Sequence, residues 1–151
     1  MNHVGNKILI TGSAGQLGWE LQRFLPKGWQ AFACDSNELD ITDANLVDSV
    51  VAREKPDWII NAAAYTAVDK AESEAELARR VNVDGAANLA RAAAKNSARM
   101  VQVSTDFVFN GLKSSPYSSN DPVSPTCVYG QTKLEGEYAV RNALEKDALI
   151  I

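Results

Sequence analysis

The chain has 151 residues, 46% of them hydrophobic and 23% charged, and a formal net charge of −4. That length supports one domain with its own core, and the composition excludes a collagen, a coiled-coil rod and a wholly disordered polymer. Fifteen Lys and Arg stand against nineteen Asp and Glu; no basic run is denser than Arg79–Arg80, so a nucleic-acid partner is not expected.

The stretch Met1 to Lys7 is polar, and the apolar run after it, Ile8–Ile10, is three residues long. Neither a signal peptide nor a membrane span fits, so a cytoplasmic protein is expected. Cys34 and Cys127 make neither a disulfide framework nor a Cys-x-x-Cys pair, which suits a reduced compartment. His3 is the only histidine, and no metal site is expected.

Short apolar runs then alternate with helical patterns. Lys7–Thr11 reads as a buried strand, and Gln16–Leu25 as a helix stopped by Pro26 and Gly28. Gln30–Cys34 is a second strand. Asp43–Lys55 is an amphipathic helix with Leu46, Val47, Val50 and Val51 on one face, Asp43 in its first turn and Pro56 at its end. Asp57–Asn61 is a third strand. Glu74–Lys95 is a single long helix with Leu77, Val81 and Leu89 on its buried side. Arg99–Ser104 is a fourth strand, and residues 110–127 form an irregular loop. A loop longer than about 12–15 residues in a compact domain is usually functional or disordered. Val128–Leu144 is a helix, and Ala148–Ile151 begins a fifth strand. Alternation of this kind, with strands apolar on both faces, predicts an α/β fold, a doubly wound parallel sheet covered on both sides. The chain ends inside its fifth strand, where domain boundaries are uncommon, so the N-terminal part of a longer protein is expected.

Gly12-Ser13-Ala14-Gly15-Gln16-Leu17-Gly18 follows the first strand and opens the first helix. The first glycine permits a tight turn. The second lets backbone approach a pyrophosphate, and the third lets helix and strand pack closely. The helix N-terminus offers unpaired N–H groups to phosphate. A plain strand-to-helix turn would also use glycine. Asp35, however, stands at the end of the second strand, 20 residues past Gly15, where a ribose-binding carboxylate belongs. It favours NADH over NADPH, because a 2′-phosphate would meet a like charge.

Tyr129 and Lys133 are four residues apart and share one helical face. An ammonium beside a phenol favours the phenolate, so such a pair can give a proton to a carbonyl oxygen. A solvated helix pair has the same spacing. The pattern gains force from Ser104-Thr105-Asp106 at the fourth strand's end, because ligands of doubly wound sheets bind outside strand carboxyl ends. The order of glycine turn, Ser-Thr and Tyr-x-x-x-Lys is more specific than any one part.

In Gly12–Arg23, Asn61–Glu74, Ser104–Gly111 and Val128–Glu137 the chain resembles the extended short-chain dehydrogenase/reductases. Within them it is most similar to the dTDP-4-dehydrorhamnose reductase family. That resemblance implies a Rossmann-type NAD(P)-binding domain, residues 1–151, truncated before the substrate-binding lobe. The fragment alone is then expected to be inactive. It implies a catalytic set of Thr105, Tyr129 and Lys133. It places Gly12, Gly15, Gln16, Leu17 and Gly18 at the pyrophosphate, Asp40 and Ile41 along the adenine, and Ala62, Ala63, Ala64 and Tyr65 along the dinucleotide. Tyr129 and Lys133 also touch the cofactor, NADH or NADPH. Thr66, Val68, Thr105 and Asp106 fall near a nucleotide-sugar substrate, whose 4-keto group would be reduced. The partners implied are that substrate and, as a homodimer, a second copy, with no nucleic acid and no membrane. Two positions depart from the family: Ser119 stands where an acid is usual, and Cys127 where Asn is frequent. Two other readings are a dinucleotide-binding regulatory subunit resembling that of methionine adenosyltransferase, and a nucleotide-sugar epimerase or dehydratase.

Overall fold

The structure, a computed structural model, describes residues 6–151. His3 lies outside the described residues. Five strands form one parallel sheet: β1 (Lys7–Thr11), β2 (Gln30–Cys34), β3 (Trp58–Asn61), β4 (Arg99–Gln102) and β5 (Ala148–Ile150). Their order is β2-β1-β3-β4-β5. Parallel neighbours need crossovers, and these carry α1 (Gln16–Arg23), α2 (Ala44–Glu54), α3 (Val68–Ala71), α4 (Ala75–Arg79), α5 (Ala86–Lys95) and α6 (Val128–Leu144). The chain steps outward from β1 to β2, then returns past β1 to β3. That reversal opens a crevice at the carboxyl ends of β1 and β3.

Local signals explain where these elements begin and end. Asp43 sits just before α2 rather than in its first turn, and its carboxylate accepts from the Asn45 and Leu46 amides, each at 3.0 Å. An aspartate there satisfies two amides the helix leaves unpaired. Lys55, in the left-handed region at φ 47°, ends the helix before Pro56.

Register fixes the core. Leu9, Ile59 and Met100 are aligned across β1, β3 and β4 and point to the side that holds Val47 and Val51 of α2, Leu89 of α5 and Val140 of α6. All seven are fully buried, and each contributes about 1.5–3 kcal/mol of burial. Ala86, Ala90 and Ala93 are also fully buried. Their small side chains let α5 lie close between α2 and α6.

The opposite side of the sheet differs from the expectation of full cover. There α1 packs on β1 and β2. Further along, Ile60 and Val101 are half-buried and Leu149 is 55% exposed.

The segment expected as one helix over Glu74–Lys95 is helical in three parts, with Arg80–Gly85 in π geometry between α4 and α5. A π turn inserts an extra residue and often marks a site; here it carries Asn82, which is 3% exposed. Leu77, expected on the buried side, is 38% exposed, whereas Leu89 is buried as expected. Loop 110–127 is irregular but tied together. Phe109 and Tyr117 stack at 4.4 Å between centroids, Lys113 pairs with Asp121, and the Ser124 amide donates to the Val108 carbonyl at 2.8 Å. No helix among the described residues is long and apolar enough to cross a membrane.

Candidate functional site

The crevice has a volume of ≈ 820 Å³ and is lined by segments following β1, β2, β3 and β4 and by α6. Asn61, one of its lining residues, belongs to a polar ladder laid across three strand ends. The Thr11 hydroxyl donates to Asn61 Oδ1 at 2.7 Å, and Asn61 Nδ2 donates to Gln102 Oε1 at 2.8 Å. Gln102 Nε2 reaches the Val103 carbonyl at 3.2 Å. Register makes Thr11, Asn61 and Gln102 direct neighbours, and all three are buried. A buried network with every group satisfied is rigid.

One wall is the glycine turn. Gly12 has φ +68°, and a Cβ there would fall 2.7 Å from the Ala63 nitrogen and 2.8 Å from the Ala62 carbonyl. Its missing side chain therefore lets the β1–α1 turn close against the Ala62–Ala64 strip. Gly18 is buried behind the turn, where a Cβ would meet the Gly12 oxygen at 2.2 Å. Gly15 precedes α1 and offers no side-chain cap, so the first amides of α1 remain available to an anion.

At the far end, Asp35 is held in a turn. Its carboxylate accepts from the Asn37 and Glu38 amides at 2.8 and 3.2 Å, while Glu38 accepts from the Asp35 amide. Asp40 and Ile41 line the same end. Asn88 of α5 donates to the Ile41 carbonyl at 2.9 Å, which fixes that segment. Cys34, just below, is buried, and burial followed by the Glu38 charge pushes its thiol up to about 11.

The other wall is α6. Tyr129 and Lys133 both line the crevice. Gly130 brings this helix against the Asp106–Val108 turn, since a Cβ there would lie 2.3 Å from the Phe107 oxygen. The Phe107 and Tyr129 rings meet edge to face at 5.4 Å. Lys133 is 4% exposed and donates to the Val103 carbonyl at 2.6 Å. Burial pulls its ammonium down to about 8, against the opposing pull of the Glu137 charge. Cys127 precedes α6, and its sulfur accepts from the Gly130 amide at 3.4 Å, so a thiol performs the capping at this departure from the family pattern. Glu72 accepts from the Val128 amide at 2.9 Å.

Of the residues expected at a site, Gly12, Gly15, Gln16, Leu17, Asp35, Asp40, Ile41, Ala62, Ala63, Ala64, Tyr65, Thr66, Tyr129 and Lys133 line this one crevice. Gly18 supports it from behind. Thr105, half-buried, and Asp106, exposed, lie outside its lining; the Thr105 hydroxyl accepts from the Phe107 amide at 3.2 Å and lies 3.3 Å from an Asp106 oxygen. Val68 packs with Ala71, Ala78 and Tyr129 in a small apolar cluster. Tyr65 donates to Glu74 at 2.6 Å, a bond that, with burial and the Glu74 charge, pushes its phenol up to about 12.

Asn82 is a supporting residue that pattern reading passes over. Its Oδ1 accepts from the Tyr65 amide at 2.9 Å, and its Nδ2 donates to the Tyr65 carbonyl at 3.2 Å and to the Thr132 hydroxyl at 3.1 Å. One side chain thus ties the strip after β3 to α6. The available signal was an amide within an otherwise amphipathic helix. Asn61 and Gln102 carried a similar signal, a polar residue ending an apolar strand. Among the described residues no group of three or more His, Cys, Asp or Glu is placed to hold a metal ion.

Fold and crevice together define a doubly wound α/β protein of the dinucleotide-binding type, with a phenol and an ammonium sharing a cleft with a glycine turn. A family model described as RmlD substrate binding domain matches residues 6–151, and the chain belongs to that family. It is 47% identical over 133 residues to the dTDP-4-dehydrorhamnose reductase of Aggregatibacter actinomycetemcomitans, covering 87% of this chain and 45% of that one. Two solved structures of similar proteins agree. The dTDP-4-dehydrorhamnose reductase of Clostridium acetobutylicum superposes with a TM-score of 0.92 at 43% identity, over 95% of this chain and 51% of that one. The reductase of Bacillus anthracis, solved in complex with NADP, gives 0.95 at 38%, over 99% and 54%. The chain spans about half the length of the curated relatives it matches.

Proposed function

We propose that this chain provides the dinucleotide site and the proton-donating groups for NAD(P)H-dependent reduction of the 4-keto group of dTDP-4-dehydrorhamnose. The observation that carries the reading is a single crevice lined by the glycine turn on one side and by Tyr129 and Lys133 on the other. The residues present fit a dinucleotide: the cradle at Gly12 would be filled by any Cβ, and α1 opens uncapped toward it.

Gly15, Gln16 and Leu17 would hold the pyrophosphate, Asp40 and Ile41 the adenine end, and Ala62–Tyr65 the length between. When bound, a reduced nicotinamide supplies hydride to the sugar carbonyl carbon. Tyr129 donates its phenolic proton to the carbonyl oxygen, and the Lys133 ammonium stabilises the phenolate left behind and holds the ribose. Thr105 orients the carbonyl, which requires its hydroxyl to turn from the Phe107 amide toward the substrate. Thr66, Val68 and Asp106 complete the sugar side of the site. Tyr65, committed to Glu74, is unsuited as the acid.

We further propose a preference for NADH. Asp35, Glu38 and Asp40 cluster around the segment after β2, and no Lys or Arg lines the crevice there. A 2′-phosphate would add negative charge to that end.

Turnover is tested by grafting residues 6–151 in place of the matching half of the Aggregatibacter reductase. The graft should oxidise NADH when given dTDP-4-dehydrorhamnose, and Tyr129→Phe should abolish turnover while dinucleotide affinity persists. Full turnover by the Tyr129→Phe graft would overturn the role of the phenol.

A further inference from the structure

Tyr129, Lys133 and Glu137 recur every four residues along α6, so they share one helical face. Lys133 and Glu137 are both buried, at 4% and 9% exposure. Buried opposite charges one turn apart usually pair directly, because that offsets their lost hydration. Here each takes another partner. The Lys133 ammonium donates to the Val103 carbonyl, and the Glu137 carboxylate accepts from the Ser104 hydroxyl. Val103 and Ser104 are consecutive residues at the end of β4, and the Ser104 amide donates to the Ile151 carbonyl at 2.6 Å. The end of the sheet thus holds both charges in a fixed relation.

We propose that Glu137, held off Lys133 by Ser104, is a positioning residue that supports the buried Lys133 ammonium while leaving its remaining donors free for the crevice. An ammonium has three donors, and one is used by Val103. A direct Glu137 bond would take a second and draw the group down the helix. Supporting the charge from a distance avoids that loss. The inference rests on the placement of Lys133 in the reaction site proposed above.

The titratable neighbours are few. From α6 these are Tyr129 and Glu137. The strip after β3 contributes Tyr65, bonded to Glu74, and the segment after β2 contributes Asp35 and Asp40 at the far end of the crevice. The end of β4 contributes a carbonyl and a hydroxyl, with Asp106 beyond them. Of these, Glu137 is the charge that opposes the loss of the Lys133 proton.

The test is a pH titration of Lys133 in this chain, read by NMR of isotope-labelled lysine side chains and assigned with Lys133→Arg. Glu137→Gln should lower the Lys133 midpoint by about one pH unit or more, as expected for removing a nearby opposite charge. Glu137→Asp should lower it less, and Ser104→Ala, which frees the carboxylate to bond the ammonium directly, should raise it. If Glu137→Gln does not fold, Ser104→Ala decides. An unchanged midpoint in the folded variants overturns the proposal. An NADH titration adds a second readout: Glu137→Gln should weaken binding several-fold at alkaline pH and little below neutrality. An equal loss at every pH would mark a merely structural residue and also overturn it. Should the chain bind no dinucleotide, the function proposed above fails, and the lysine titration still decides the role of Glu137.

Discussion

The Thr11–Gly18 wall of the crevice and the Val128–Glu137 wall line the same space, but one depends on atoms it lacks and the other on charges it buries. The first closes because Gly12 and Gly18 have no side chains, and their nearest neighbours are backbone. The second works because Lys133 is kept from water and held by groups from β4 and from further along α6. A wall made by close approach tolerates no added atom. A wall made by buried charge is sensitive to pH and to distant supports.

The largest effect is expected on the first wall. Gly18→Val should destabilise the fold by about 3 kcal/mol, since the new side chain meets backbone that cannot yield; a denaturant melt reads this. A variant as stable as wild type would break the contrast. Next comes the support shared by the two walls. Asn82→Ala strands the Tyr65 amide and carbonyl and should cost about 2–3 kcal/mol, with dinucleotide affinity falling alongside. A loss below half a kcal/mol would show that the π turn, not the side chain, sets the strip.

Lys133, on the second wall, responds to pH. Its folded value, about 8, lies below its ordinary 10.5. Between those values the unfolded chain binds more protons, so stability rises as pH climbs from about 8 to 10.5 and the full penalty applies below 8. Lys133→Met should therefore flatten the alkaline rise, while turnover in the grafted enzyme is lost. A variant whose stability still climbs between those pH values would contradict this. The smallest effect concerns the thiols. Cys34 is 2% exposed with its thiol pushed up to about 11, whereas Cys127 is part-exposed. One thiol should react with a soluble disulfide reagent in the native state and the second only on unfolding; two fast thiols would contradict the burial of Cys34.

The same division governs what the sequence revealed. Glycine spacing, Asp35 at a strand end and Tyr129 four residues before Lys133 are local patterns, and local geometry produces them in the structure. The five strands were legible for the same reason, since each is a short apolar run between breakers. Asn82, Glu137 and the Thr11–Asn61–Gln102 ladder were not, because their partners lie 17 to 50 residues away. The division of the Glu74–Lys95 helix escaped notice because a π turn keeps helical composition while shifting phase. The partial cover of the sheet was hidden as well: alternation shows that a strand face is apolar, not what lies against it.

The joint use of the two walls is open to a direct measurement: backbone amide shifts of the 151-residue chain during titration with NADH. Shifts should appear together in residues 12–18, 62–65 and 129–133 and be absent from the Ala94–Arg99 end of the sheet. Shifts confined to one wall, or centred elsewhere, would contradict a dinucleotide bridging the glycine turn and the Tyr129–Lys133 pair.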